Sequence, residues 1–197
     1  MMVWLGELGR RRMLVRRRFV VATTVLCGAL AMAGCSTTEN GNAQPSATTD
    51  QAVATAALWD PCTQIPDSTL TNLGLDVASK RSGILGAEEP GWKICGWEDS
   101  EFPPNYGVGA YSTIHTIDEV RAKPTNIAFS DVVVAGRSGV QYRQTHNDAN
   151  EECSLAFPTA SGFAQIDLLN ISTKSKSMPP CERLKPIAEA IVPLFPK

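Results

Sequence analysis

Apolar and polar positions divide the chain into three stretches. Phe19 to Ala33 is a run of fifteen residues without a charge, preceded by Arg16-Arg17-Arg18. At 1.5 Å per residue, a helix of that length falls short of a hydrocarbon core of about 30 Å, so the run fits the apolar region of a signal peptide better than a permanent span. Ser36 to Ala56 (STTENGNAQPSATTDQAVATA) has no aromatic residue and little to bury. That stretch reads as a flexible tether that holds the C-terminal part of the chain roughly 25 Å from its anchor point. From Leu58 the pattern changes, with Trp59, Ile65, Leu70, Leu73 and Leu75 opening a core.

Within that last stretch the periodicity predicts mixed elements. Pro66 to Gly74 reads as a short helix, with Pro in its first turn and Gly just past its end. Lys93–Glu98 and Tyr106–His115 read as strands joined by the turn-rich Asp99–Asn105. Ile117 to Lys123 is a short helix ending before Pro124. Val132–Val134 and Val140–Gln144 form a hairpin about Ala135–Gly139, and Cys153–Phe157 and Phe163–Leu169 another about Pro158–Gly162. Leu184, Ile187, Ala188, Ile191 and Val192 fall at helical spacing, with Pro186 expected to leave the helix irregular before Lys185. Consecutive strands with short connections imply an α+β domain over 57–197: an antiparallel sheet with short helices near the domain's N- and C-terminal ends. No internal repeat of solenoid length occurs.

Composition sharpens this picture through its unevenness. The 197 residues carry a formal charge of −2, with 43% apolar and 19% charged. Collagen-like, coiled-coil and wholly disordered chains are excluded. Six of the 18 basic residues and one of the 20 acidic ones precede residue 35, leaving 12 basic against 19 acidic, a net −7, for the rest. An acidic domain is poorly suited to nucleic acid, and no nucleic-acid partner is expected.

The end of the apolar run specifies the kind of signal. Met32-Ala33-Gly34-Cys35, followed at once by Ser36-Thr37-Thr38, resembles the lipobox of bacterial lipoproteins, with Met where Leu is usual. The resemblance implies that residues 1–34 are removed, that Cys35 is lipidated, and that 35–56 tether the domain to the extracytoplasmic face of the cell membrane. Acyl chains on Cys35 contribute about 0.8 kcal/mol per buried CH₂, and two or three chains give stable anchoring where one is marginal. Met13 offers a second start, since Met13 to Phe19 already forms a complete basic region. The Arg16–Val20 segment loosely resembles a twin-arginine export motif but has Val15 where Ser or Thr is preferred, which favours the general secretory route.

Of six cysteines, Cys27 leaves with the signal and Cys35 carries lipid, so Cys62, Cys95, Cys153 and Cys181 remain in an exported domain. An even number there implies two disulfides with three possible connectivities; Cys62–Cys95 with Cys153–Cys181, the pairs nearest in sequence, is favoured. No C-x₂-C pair exists to suggest a metal or redox site. The lipobox, the tether, Asp60-Pro61-Cys62, Cys95-Gly96-Trp97, Gly136-Arg137-Ser138-Gly139 and a last Cys181 on a C-terminal helix together resemble the actinobacterial lipoproteins of the DUF3558 family. Membership implies an envelope-anchored, disulfide-stapled domain and no agreed substrate, catalytic residue or cofactor.

Catalytic chemistry is sparse. Ser154, His146 and Asp148 are the raw material of a triad, but no Gly-x-Ser-x-Gly elbow accompanies them. His115, at the end of a strand, reads as a partly exposed sheet residue rather than a base. The acidic stretch His146–Glu152 lacks the glycine and distal Glu of a calcium loop, so it reads as a solvated turn, and no metal or other cofactor is expected. Aromatic residues suggest binding instead: Trp59, Trp92, Phe102 and Tyr106 are candidates for a ligand groove or partner surface, while Trp97 reads as core. The functional expectation is a non-catalytic envelope lipoprotein that binds a small ligand or an envelope protein. The alternative is an envelope hydrolase or accessory enzyme with dispersed site residues.

Overall fold

In the computed structural model the described residues are 47–197; residues 1–34, Cys35 and the first part of the expected tether lie outside them. The tether's last ten residues, where a flexible segment was expected, form helix α1 (Ala47–Ala56). Contacts explain the difference: the Thr55 hydroxyl donates to the Gln51 carbonyl and accepts from the Gly91 N–H, fastening the helix to the domain. No helix among the described residues is long and apolar enough to cross a membrane.

Seven strands form one wholly antiparallel sheet: β1 (Leu75–Ser82), β2 (Trp92–Asp99), β3 (Tyr106–Thr113), β4 (Asn126–Val134), β5 (Arg137–Gln144), β6 (Glu152–Thr159) and β7 (Gly162–Asn170). Their spatial order is β1-β2-β3-β7-β6-β5-β4. Short helices α2 (Pro61–Gln64) and α3 (Asp67–Asn72) precede the sheet, α4 (Ile117–Ala122) links β3 to β4, and α5 (Pro180–Ile191) follows β7. This is the expected α+β architecture, with both disulfides, Cys62–Cys95 and Cys153–Cys181, formed.

Local chemistry accounts for the helices. The Asp60 carboxylate accepts from Cys62 N–H at 2.9 Å and Pro61 opens α2, while Thr116 and Glu119 form a reciprocal capping box on α4. Helix α5 begins at Pro180, earlier than its apolar spacing implied, and runs through Pro186. Pro186 is tolerated there because it lies on the exposed side, opposite the fully buried Leu184, Ala188 and Ile191.

The tightest corrections concern the turns. The β4–β5 hairpin turns on Ala135 and Gly136 alone, at φ 49° and 79°, the paired positive values of a two-residue loop. Gly139, expected in that turn, sits within β5 paired with Val132, where a Cβ would lie 2.5 Å from the Phe157 ring. The β6–β7 loop is likewise only Ala160-Ser161, with Thr159 paired to Gly162. Strand β1 and the first half of β4 were not anticipated. Both are edges, largely exposed and interrupted by register shifts, so only the short alternations Leu75/Val77 and Ile127/Phe129 mark them.

Alternation along the inner strands gives the sheet two unlike faces. One bears the row Trp97, Val108, Leu168 and Cys153 and, one step along, Cys95, Ala110, Ile166 and Leu155. Helices α2, α3 and α5 and the C-terminal residues cover this face, burying Leu70, Leu184, Ile187, Ile191, Val192 and Phe195 against it. Arg137 locks the chain end down, donating to the carbonyls of Phe195 (2.9 Å), Pro196 (2.8 Å) and Pro158 (3.1 Å). Among the described residues the opposite face has only α4 over one end, where Val120 joins Val140, Tyr142, Ala156 and Phe163 in a small second cluster, and the rest of that face is open.

Candidate functional site

Cross-strand pairing writes the open face row by row. Gly96, Gly109, Asp167, Ser154 and Tyr142 are successive neighbours across β2, β3, β7, β6 and β5. Beside them run Ile94, Tyr111, Gln165, Ala156 and Val140 on one side, and Glu98, Gly107, Leu169 and Glu152 on the other. Few sheet faces in an ordinary core carry this many amides, carboxyls and glycines.

Two adjoining hollows occupy this face. One, of about 410 Å³, lies over Gly96, Gly107 and Gly109 between Arg81 and Glu152. The other, of about 510 Å³, lies toward α4 between Trp92, Tyr111, Asn126, Tyr142 and Gln165. Both are within the size range of small-molecule sites, and they meet at Tyr111, Gln144 and Asp167, making one groove.

The glycines floor that groove for two different reasons. A Cβ on Gly109 would lie 2.4 Å from the Tyr111 hydroxyl and 2.5 Å from Asp167 Oδ1, so its absence lets those groups reach inward. At Gly96 and Gly107 a Cβ would meet nothing nearer than 3.6 Å, and neither residue has a positive φ. Glycine weakens a strand interior, and the fold does not require it at these two positions. What the two glycines provide is empty space over the sheet.

Asp167 stands at the junction. Burial pushes its carboxyl up to about 7; the Tyr111 hydroxyl opposes the rise, the Glu152 charge adds to it, and Gly109 N–H, at 3.0 Å, and Gln165 oppose it. Burial, then the Asp167 charge, also raises the Tyr111 and Tyr142 hydroxyls well above the ordinary tyrosine value. Tyr142 donates to Gln165 Oε1 at 2.6 Å, and its ring stacks on Phe129. Glu152, buried beside them, accepts from the Ser154 hydroxyl at 3.0 Å, from the Asn147 amide and from Gln144 N–H. These groups are held in place before any ligand arrives.

The four aromatic candidates do not share one surface. Trp92 lines the groove, its ring near Phe163, His115 and Tyr111. Trp59 is instead buried on the helix-covered face, edge-on to Phe195 at 5.4 Å, because the C-terminal residues close over it. Phe102 is fully solvent-exposed in the β2–β3 connection. Tyr106 is half-buried beneath Arg183, whose guanidinium carbon lies 4.8 Å from the ring, in a separate hollow near Asp99. Trp97 is core, as its neighbour Cys95 implied.

The triad materials are not assembled: Ser154 is buried with its hydroxyl on Glu152, while His146 and Asp148 are exposed in the β5–β6 connection. His115 is half-buried, with Nδ1 3.3 Å from Glu119 Oε1. Cys35 lies outside the described residues. Sequence reading missed Asp167, Gln165, Tyr111, Tyr142 and Asn126, and it placed Glu152 in a solvated turn, whereas that carboxylate is buried at the start of β6. A signal for some was present: Tyr106-Gly-Val-Gly-Ala-Tyr111 and Gly162-Phe-Ala-Gln-Ile-Asp167 each place polar or glycine residues at every second position of an apolar strand.

A family model described as protein of unknown function (DUF3558) matches residues 30–194. No curated protein and no solved structure matches the chain.

Proposed function

Since the chain belongs to the DUF3558 family, whose function is unknown, its role has to be read from its own sequence and geometry, and we propose that it is a lipid-anchored envelope protein whose domain binds a small ligand in the open groove. The single observation that carries the binding reading is the glycine floor. Gly96 and Gly107 sacrifice strand stability at places where side chains would fit, and the space they free adjoins preorganised polar groups. The extracytoplasmic location is supported by the lipobox-like Met32-Ala33-Gly34-Cys35 and by two disulfides, which persist in oxidising compartments.

Anchoring is tested by fractionating cells that express the full chain or its Cys35→Ala variant. The parent should stay with the membranes and the variant should be released; equal distribution of the two would refute a lipid anchor. For the groove, native mass spectrometry of the chain purified from cells should detect a bound small molecule that Gly107→Val loses, with melting temperature preserved. Retention of that molecule by Gly107→Val would move the site elsewhere.

A further inference from the structure

We infer that the end of the groove nearest α4 is a site for the ammonium group of a small organic amine, with Asp167 as its counter-charge and Trp92 and Tyr111 as its walls. This rests on the groove being a ligand site. Carboxylates with little access to solvent are normally paired with a cation, and the partly buried Asp167 and the buried Glu152 share this face without one among the described residues. Among the described residues, the five ion pairs are Arg81–Glu98, Lys93–Glu88, His115–Glu119, Arg121–Asp131 and Lys176–Glu151. Neither Asp167 nor Glu152 takes part in any of them. Both carboxylates accept from neutral donors, Asp167 from Gly109 N–H at 3.0 Å, but of the two only Asp167 faces both hollows.

Trp92 and Tyr111, edge-to-face at 6.5 Å, add aromatic surface of the kind that attracts cations. No third ligating side chain joins the two carboxylates to form a metal-holding group among the described residues, so the donors and aromatic walls together suit an organic cation. Lys123, His115, Glu119 and Glu89 ring the mouth, with Lys123 and the two glutamates exposed to solvent screening.

The test is calorimetric and NMR titration of the purified full-length chain with two matched pairs: cadaverine against 1,5-pentanediol, and glucosamine against glucose. Amines should bind and shift the Trp92 indole and Gly109 amide signals, with the uncharged partners at least about tenfold weaker. Tyr111, Gly109, Gln165, Glu152 and Tyr142 surround Asp167. Cadaverine, whose ammonium groups stay charged throughout, should gain about tenfold in affinity from pH 6 to pH 8 as the Asp167 carboxyl ionises against an incoming charge. The Asp167→Asn variant should lose both the amine preference and the pH dependence with its fold intact by circular dichroism. Equal binding of diol and diamine at the groove would overturn the cation claim and leave the groove reading standing. If none of the four probes shifts groove signals while the cell-derived molecule still depends on Gly107, the amine class is overturned. Loss of that dependence as well would overturn both readings.

Discussion

The two faces of this sheet are made by the same strands and by the same alternation, yet they are finished in opposite ways. On the helix-covered face, Cys153, Leu155, Phe157, Ile166 and Leu168 are buried against α5, and each disulfide ties a short helix to a strand. On the other, glycines, amides and carboxyls stand where methyl groups would pack, and only α4 covers one end. Stability comes from the first face; the second keeps buried polar groups and empty volume that lower it. That division is expected where a binding site is built on a rigid scaffold.

The largest effect that separates the faces should come from the staples. Replacing Cys153 and Cys181 together by Ala opens a loop with sequence separation 28 and should cost about 3–4 kcal/mol in urea unfolding. A loss smaller than about 1 kcal/mol would mean the apolar face does not depend on its covalent tie to α5.

The next effect has the opposite sign. Because the Asp167 carboxyl is raised to about 7, the folded domain holds a proton that the unfolded chain releases near 4. Stability from this group is present in acid and is lost as pH rises from about 4 through 7. Asp167→Asn cannot ionise, so it should be more stable than the parent by roughly 2–4 kcal/mol at pH 8, with the difference shrinking toward pH 4. Denaturation curves at the two pH values measure it, and a pH-independent difference would contradict the burial of this carboxyl.

The smallest expected effect is at the groove floor. Gly107→Ala places a methyl group where its nearest neighbours would lie at 3.6 and 3.8 Å, and it should change stability by no more than about 0.5–1 kcal/mol, in the stabilising direction. A strongly destabilised Gly107→Ala would mean that the glycine serves packing rather than space.

How much of this was readable in the chain differs between the two faces. The apolar face was legible because alternating Val, Ile, Leu and Phe, a helical spacing over Leu184 to Val192, and four cysteines in an acidic domain each carry a local signal. The inner strands, α3, α4 and both disulfide pairs were therefore found. Edge strand β1 and the first half of β4 escaped because most of their residues are exposed and a register shift interrupts each, which leaves too short a period to detect. Among the site residues, only Trp92 was singled out, and for its ring rather than its surroundings. Trp59 and Tyr106 carried the same aromatic signal but pack elsewhere, under Phe195 and Arg183.

The sequence by itself determined the class of domain, its likeness to an exported lipoprotein, its covalent ties and the strands of its core, since each depends on residue type at short spacing. Only the tertiary structure decided that Gly96, Gly109, Asp167, Ser154 and Tyr142, drawn from five strands, lie in one row above open space. The physical reason is register: a ladder shifted by one residue turns every side chain to the other face, and no local signal in any one strand reveals which residues its neighbours will bring alongside.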